Sequence, residues 1–90
     1  KYNAQQRYAT DGLSAARVKE LCRGLSIPVQ TFTNRSDNPG GSTLGNISNT
    51  QVALNTVDIG LPQLAMHSPY ETAGVKDTCD FVKLAGVFYA

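Results

Sequence analysis

The residue best suited to chemistry in this chain is its single histidine, His67. It follows the run Thr56-Val57-Asp58-Ile59-Gly60-Leu61-Pro62 by a few residues. Val57, Ile59 and Leu61 alternate with Asp58 and Gly60, the period-two pattern of a half-buried strand, and Pro62 removes a backbone donor and ends the ladder. His67 is therefore expected just past a strand terminus, where open α/β sheets collect their ligand sites. Neutral imidazole binds metals and carries protons near neutral pH, although a hydrogen-bonded structural histidine is the commoner use of such a position. A catalytic zinc centre requires about three protein ligands. Against that need the chain offers one histidine and seven carboxylates, none in an HExxH or comparable spacing with His67, so a complete metal centre is not expected within it.

A second candidate is the glycine-rich stretch Pro39-Gly40-Gly41-Ser42-Thr43-Leu44-Gly45, which leads into a possible helix. Unpaired N–H groups at a helix N-terminus attract anions. The stretch lacks both the lysine of G-x-x-x-x-G-K-[ST] and the spacing of a dinucleotide fingerprint, which favours a structural turn beside a cleft over a nucleotide site. Cys22 and Cys79 are isolated in helix-like segments without CxxC spacing, and both are expected to be free, buried thiols.

These segments have a familiar setting. Val57-Asp58-Ile59-Gly60-Leu61-Pro62-Gln63-Leu64-Ala65-Met66-His67-Ser68 resembles the C-terminal part of the M18 family of metallo-aminopeptidases, which contains aspartyl aminopeptidase and aminopeptidase I. Lys1-Tyr2-Asn3-Ala4-Gln5-Gln6-Arg7-Tyr8-Ala9-Thr10 and Ser36-Asp37-Asn38-Pro39-Gly40-Gly41-Ser42-Thr43-Leu44-Gly45 are similar to two further family segments, and Glu71-Thr72-Ala73-Gly74-Val75-Lys76-Asp77 to the segment after the histidine in bacterial members. One departure is Gly40, where relatives often carry cysteine.

The resemblance implies a zinc enzyme with two divalent metals that hydrolyses N-terminal residues from peptides through a metal-activated water. His67 then matches the family's last metal-binding histidine, while the general-base glutamate and the other ligands are expected upstream. Lys1 and Tyr8 match its substrate-contacting lysine and tyrosine. Such a lysine can neutralise a substrate carboxylate, and a tyrosine O–H can hydrogen-bond a developing oxyanion. The same resemblance implies a cytoplasmic, large homo-oligomer of the tetrahedral kind. Residues 1–90 are expected to be the C-terminal part of the catalytic domain, a piece of a longer enzyme that is inactive alone. The competing class is a non-enzymatic α/β interaction or regulatory domain in which His67 is structural and the glycine loop only a turn.

The elements that must position these residues alternate. Residues 1–10 are compatible with a strand that runs into a turn, and Thr10 or Asp11 can cap a helix with Ala15, Val18, Leu21, Cys22 and Leu25 on its apolar face. Gly24 and Pro28 bound that helix. Residues 27–33 read as a second strand and 34–41 as loop, followed by a short, weak helix from Ser42 or Thr43 to about Thr50. Residues 52–61 contain a third strand. A last helix is expected from a cap at Asp77, with Phe81, Leu84, Ala85 and Phe88 on one face. The order β-α-β-α-β-α predicts a layered α/β fragment.

Composition supports ordinary globular material: 41% of residues are apolar, 17% charged, and the formal net charge is +1. The eight basic residues are scattered, without a stripe or interleaved aromatics, so no nucleic-acid partner is expected. No apolar stretch approaches the ~20 residues of a membrane span, no signal-peptide pattern opens the chain, and no membrane association is expected.

Overall fold

Local capping chemistry decides where the helices begin and end. Asp11 precedes helix α1, Gly12–Gly24, and its Oδ1 accepts the Ser14 N–H at 2.8 Å while the Asp11 N–H donates to Ser14 Oγ at 3.1 Å. This reciprocal pair satisfies two of the orphan groups at the helix start. Hydrogen bonding by Ser14, its backbone N–H above all, holds the Asp11 carboxyl below the usual aspartate range. At the other end the chain leaves through Ser26, which adopts the left-handed region (φ 55°). Ile27 N–H reaches the Cys22 carbonyl at 2.8 Å and Ser26 N–H reaches that of Arg23 at 3.1 Å, the bond pair of a Schellman motif. The helix thus ends at Gly24, inside the bounds that Gly24 and Pro28 set in the sequence, with Ser26 supplying the left-handed turn beyond it.

The computed structural model describes residues 1–2, 7–38 and 40–90. Helix α2 covers Leu44–Gln51, capped in backbone geometry by Thr43, close to the expected span. Helix α3, Val75–Phe88, starts at the N-cap Gly74 rather than at Asp77, which lies in its first turn. Between α2 and α3 sits a two-stranded antiparallel hairpin, β1 Gln63–Leu64 and β2 Thr72–Ala73, with Gln63 opposite Ala73 and Leu64 opposite Thr72. Helix α1 packs on α3. Ala15 and Cys22 are buried on α1, and an apolar cavity of about 240 Å³ lies between the two helices, lined by Val18, Leu21, Leu84 and Phe88 among others. Asp58 joins those two as the third buried residue among the described ones. Large apolar side chains elsewhere stay open, Leu13 at 75% and Leu44 at 78% exposure.

Helices plus a small hairpin are compatible with the expected α/β class, but among the described residues the three expected strands do not form a ladder and the layered β-α-β-α-β-α order is not seen. Residues 1–2, 32–34 and 58 do lie side by side. Tyr2 bridges Thr33 in parallel, its N–H donating to the Phe32 carbonyl at 2.8 Å and its carbonyl accepting from Asn34 N–H at 3.2 Å. Beyond that point side chains take over the backbone partners. Asp58 N–H goes to Thr10 Oγ1 at 2.7 Å, and Ala9 N–H goes to Asp58 Oδ2 at 2.6 Å. Pro28 and Pro62 have no N–H to offer a neighbouring strand. Residues Asn3, Ala4, Gln5 and Gln6, part of the first expected strand, and Pro39 of the glycine loop lie outside the described residues.

Candidate functional site

His67 is carried by the turn of the hairpin. After β1 the chain passes through Ala65 (φ 56°) and His67 (φ 67°), two non-glycine residues in the left-handed region, where histidine is tolerated better than most side chains. Ser68 N–H donates to the Ala65 carbonyl at 3.0 Å and Tyr70 N–H to Ser68 Oγ at 3.1 Å. Glu71, just before β2, accepts the His67 backbone N–H through Oε1. The turn is thereby tied at both ends, and the imidazole stands exposed with no hydrogen-bond partner among the described residues.

Lys1 is set by a different contact. Its main-chain nitrogen donates to the Asp58 carbonyl at 2.9 Å, and its side chain crosses the face of Tyr8, with Nζ 5.7 Å from the ring centroid. That distance lies within the range of a cation–π attraction. The ammonium also lies over Gly60, where a Cβ would stand 3.0 Å from both Cε and Nζ. Lys1, Tyr8 and His67 all line one cleft of about 1000 Å³, together with Asp58, Gly60 and Met66. The structure thus brings the three residues singled out from the sequence to a common concave surface.

The glycine loop forms another part of the wall. Gly40 adopts φ 59°, its N–H donating to Asn38 Oδ1 at 3.1 Å, and Ser42 Oγ donates to the Arg7 carbonyl at 3.3 Å. These bonds make a turn that fastens the loop to residues 1–10, in line with the structural reading of that stretch. Gly40, Gly41 and Thr43 face the cleft. Two polar atoms on this wall, Asn34 Nδ2 and Thr43 Oγ1, are buried without a partner among the described residues.

Cys22 is buried and lines the cleft floor, and burial pushes its thiol above the ordinary range. A thiol so placed is less nucleophilic, not more. Cys79 is free as expected but exposed, because it falls on the outer face of α3. Among the described residues no group of three or more His, Cys, Asp or Glu side chains is placed to hold a metal ion. Among those residues His67 is thus not joined by the further ligands that a zinc site needs. An ammonium, a phenol and an exposed imidazole around one cleft can bind a carboxylate, donate to an oxyanion and contribute one nitrogen to a metal.

Two contributors were not legible as such. Asp58 occupies a polar step of the alternation and reads as solvent-facing, yet it is only 9% exposed. Glu71 gives no signal in sequence beyond lying four residues after His67, the distance its turn-closing bond spans.

Comparison with known proteins now bears on this arrangement. Residues 1–89 match the sequence model of a family described as aminopeptidase I zinc metalloprotease (M18). Probable M18 family aminopeptidase 2 of Pseudomonas paraeruginosa is 50% identical over 90 residues, and that of Stutzerimonas stutzeri 48%. In both comparisons all of this chain is covered. The chain spans about a fifth of the length of these curated relatives, 21%. No solved structure matches it.

Proposed function

The chain belongs to the M18 peptidase family, and from that premise we propose that the full-length protein is a zinc-dependent aminopeptidase, with residues 1–90 forming the C-terminal part of its catalytic domain. The observation that supports the reading is that Lys1, Tyr8 and His67 all line one cleft. His67 would supply one metal ligand, its backbone tied to Glu71 and its exposed ring without a hydrogen bond among the described residues. The remaining ligands and the general base would come from the upstream chain, in a centre of two divalent metals. When bound, zinc acidifies its water and polarises the carbonyl under attack.

The residues on hand have separable tasks. Lys1 offers a cation to an anionic group of the substrate, steadied by the Tyr8 ring beneath it. Tyr8 offers an O–H to the oxyanion that develops as the peptide carbonyl becomes tetrahedral. The family reading also carries a peptide substrate and a cytoplasmic, large homo-oligomeric enzyme.

The test is release of N-terminal amino acids by the purified full-length protein, abolished by a chelator and restored by zinc. The 90-residue chain alone should be inactive under the same conditions, because one imidazole cannot hold the centre. A full-length protein without metal-dependent release would leave the non-enzymatic α/β domain as the better account.

A further inference from the structure

We propose that Asp58 is a positioning residue, which fixes the segment bearing Lys1 and Tyr8 against the stretch of chain that runs on to His67. The inference builds on the roles given to Lys1 and Tyr8 above.

Asp58 is the one buried polar or charged residue among those described. Three of its groups are committed to residues 1–10. The carboxylate Oδ2 accepts from Ala9 N–H at 2.6 Å, the backbone N–H donates to Thr10 Oγ1 at 2.7 Å, and the carbonyl accepts from the Lys1 main-chain nitrogen at 2.9 Å. The contacts bracket that segment, one at Lys1 itself and two immediately after Tyr8. Behind the carboxylate lies Gly45, close enough that a Cβ there would stand 3.2 Å from Oδ2. The absence of a side chain at Gly45 thus leaves the carboxylate the space it occupies beside Ala9.

Residues 58 and 67 share a continuous stretch of chain, so an anchor at Asp58 sets the distance from Lys1 and Tyr8 to the imidazole. A displacement of about 1 Å in such a constellation can cost on the order of 100-fold in rate. A buried carboxylate is also a poor choice for stability alone, since apolar groups of similar volume often hold a fold as well or better. Its accepting oxygen is suited instead to fixing one backbone N–H in place.

The experiment uses the full-length enzyme and compares Asp58→Ala, Asp58→Asn, Thr10→Val, Lys1→Ala and Tyr8→Phe, together with the Asp58→Ala/Tyr8→Phe double variant. Asp58→Ala should lower kcat/KM by about 10- to 100-fold with bound zinc unchanged. Asp58→Asn, which keeps an accepting oxygen, should recover most of that loss. The double variant should lose little more than the worse single variant, because a displaced Tyr8 has no contribution left to remove. Should Asp58→Ala fail to fold, Thr10→Val removes only the hydroxyl met by Asp58 N–H, and its smaller loss should show the same non-additivity with Tyr8→Phe.

Losses that multiply in the double variant would overturn the proposal, as would zinc loss in Asp58→Ala, which would locate the defect at His67. An active Asp58→Ala beside impaired Lys1→Ala and Tyr8→Phe would overturn it while the aminopeptidase reading stands. Wild-type activity in Lys1→Ala and Tyr8→Phe would overturn the roles of those residues and this inference with them.

Discussion

Lys1 and Gly60 occupy adjoining space: the lysine Cε and Nζ each lie 3.0 Å from the point where a Cβ on Gly60 would stand. The glycine is thus the floor beneath the cation that faces the cleft. Gly60→Ala should move the ammonium rather than the backbone, because the far end of a lysine shifts more cheaply than main chain. The expected outcome in the full-length enzyme is a several-fold loss of kcat/KM with an unchanged unfolding midpoint. The loss should be larger for peptides beginning with Glu or Asp than for those beginning with Leu, if the cation faces the substrate's first side chain.

Gly45→Ala should behave in the opposite way. The added methyl would meet Ala9 Cβ and Asp58 Oδ2 at 3.2 Å and Thr56 Cγ2 at 3.4 Å. Alanine gains at most about 1 kcal/mol of helix propensity over glycine, whereas overpacking a closed site costs about 1–3 kcal/mol. The crowding should win because Asp58 is already tied to Ala9. A lowered denaturation midpoint is the expected result, and a raised one would show that the contact relaxes freely.

Ser26→Gly should stabilise the chain. Ser26 holds the left-handed position that ends α1, a conformation that costs a residue with a Cβ about 1–2 kcal/mol. Part of that gain is returned as glycine's greater freedom in the unfolded state. A net gain of about 0.5–1 kcal/mol should appear as a higher midpoint in chemical denaturation, whereas Ser26→Ala should give none.

The cap at Asp11 should make the start of α1 sensitive to acid. Its folded-state pKa is lowered, chiefly by the Ser14 N–H, so the cap's contribution is complete above the unfolded value of about 3.9 and is lost as pH falls through the lower folded value. Amide protection of the first turn, followed by NMR from pH 6 downward, should decline in that window. In Asp11→Asn, which has no charge to lose, the decline from this source should be absent.

Replacement of His67 should separate metal binding from folding. Asparagine tolerates the left-handed backbone that His67 adopts at φ 67°, so His67→Asn should keep the hairpin turn, whereas His67→Ala adds some strain. In the full-length enzyme both should lose bound zinc and activity by orders of magnitude. Normal zinc content by elemental analysis, with near wild-type turnover, would remove His67 from the metal site.

The helices were legible because their signals are local. Asp11 with Ser14 makes a cap from residues three apart, and Thr43 opens α2 where the loop chemistry ends. Ser26 escaped notice because a serine at a glycine's position leaves no compositional trace. The strands misled for another reason. Val57, Ile59 and Leu61 do alternate, but Asp58 directs its N–H and carboxylate to Thr10 and Ala9, so among the described residues no ladder forms where the pattern called for one. The hairpin around His67 was hidden because two residues per strand are too few for any periodicity. His67 stood out as the chain's single histidine past a strand-like run, whereas Lys1 and Tyr8 were recoverable only through family resemblance, since nothing in their spacing relates them to it.

The bond from Ala9 to Asp58 closes a loop of 49 residues, and that span governs the order in which the molecule comes together. Closing a loop of this length costs about 3–4 kcal/mol of chain entropy before any contact rewards it. Helices α1 and α2 lie within the loop and can form from neighbours alone, so they can be in place while the cleft is still open. On refolding the cleft is then the late event, and under mild denaturant it is the early casualty. Helical signal should persist while the cleft opens, because the cleft is held by the contacts that reach furthest along the chain.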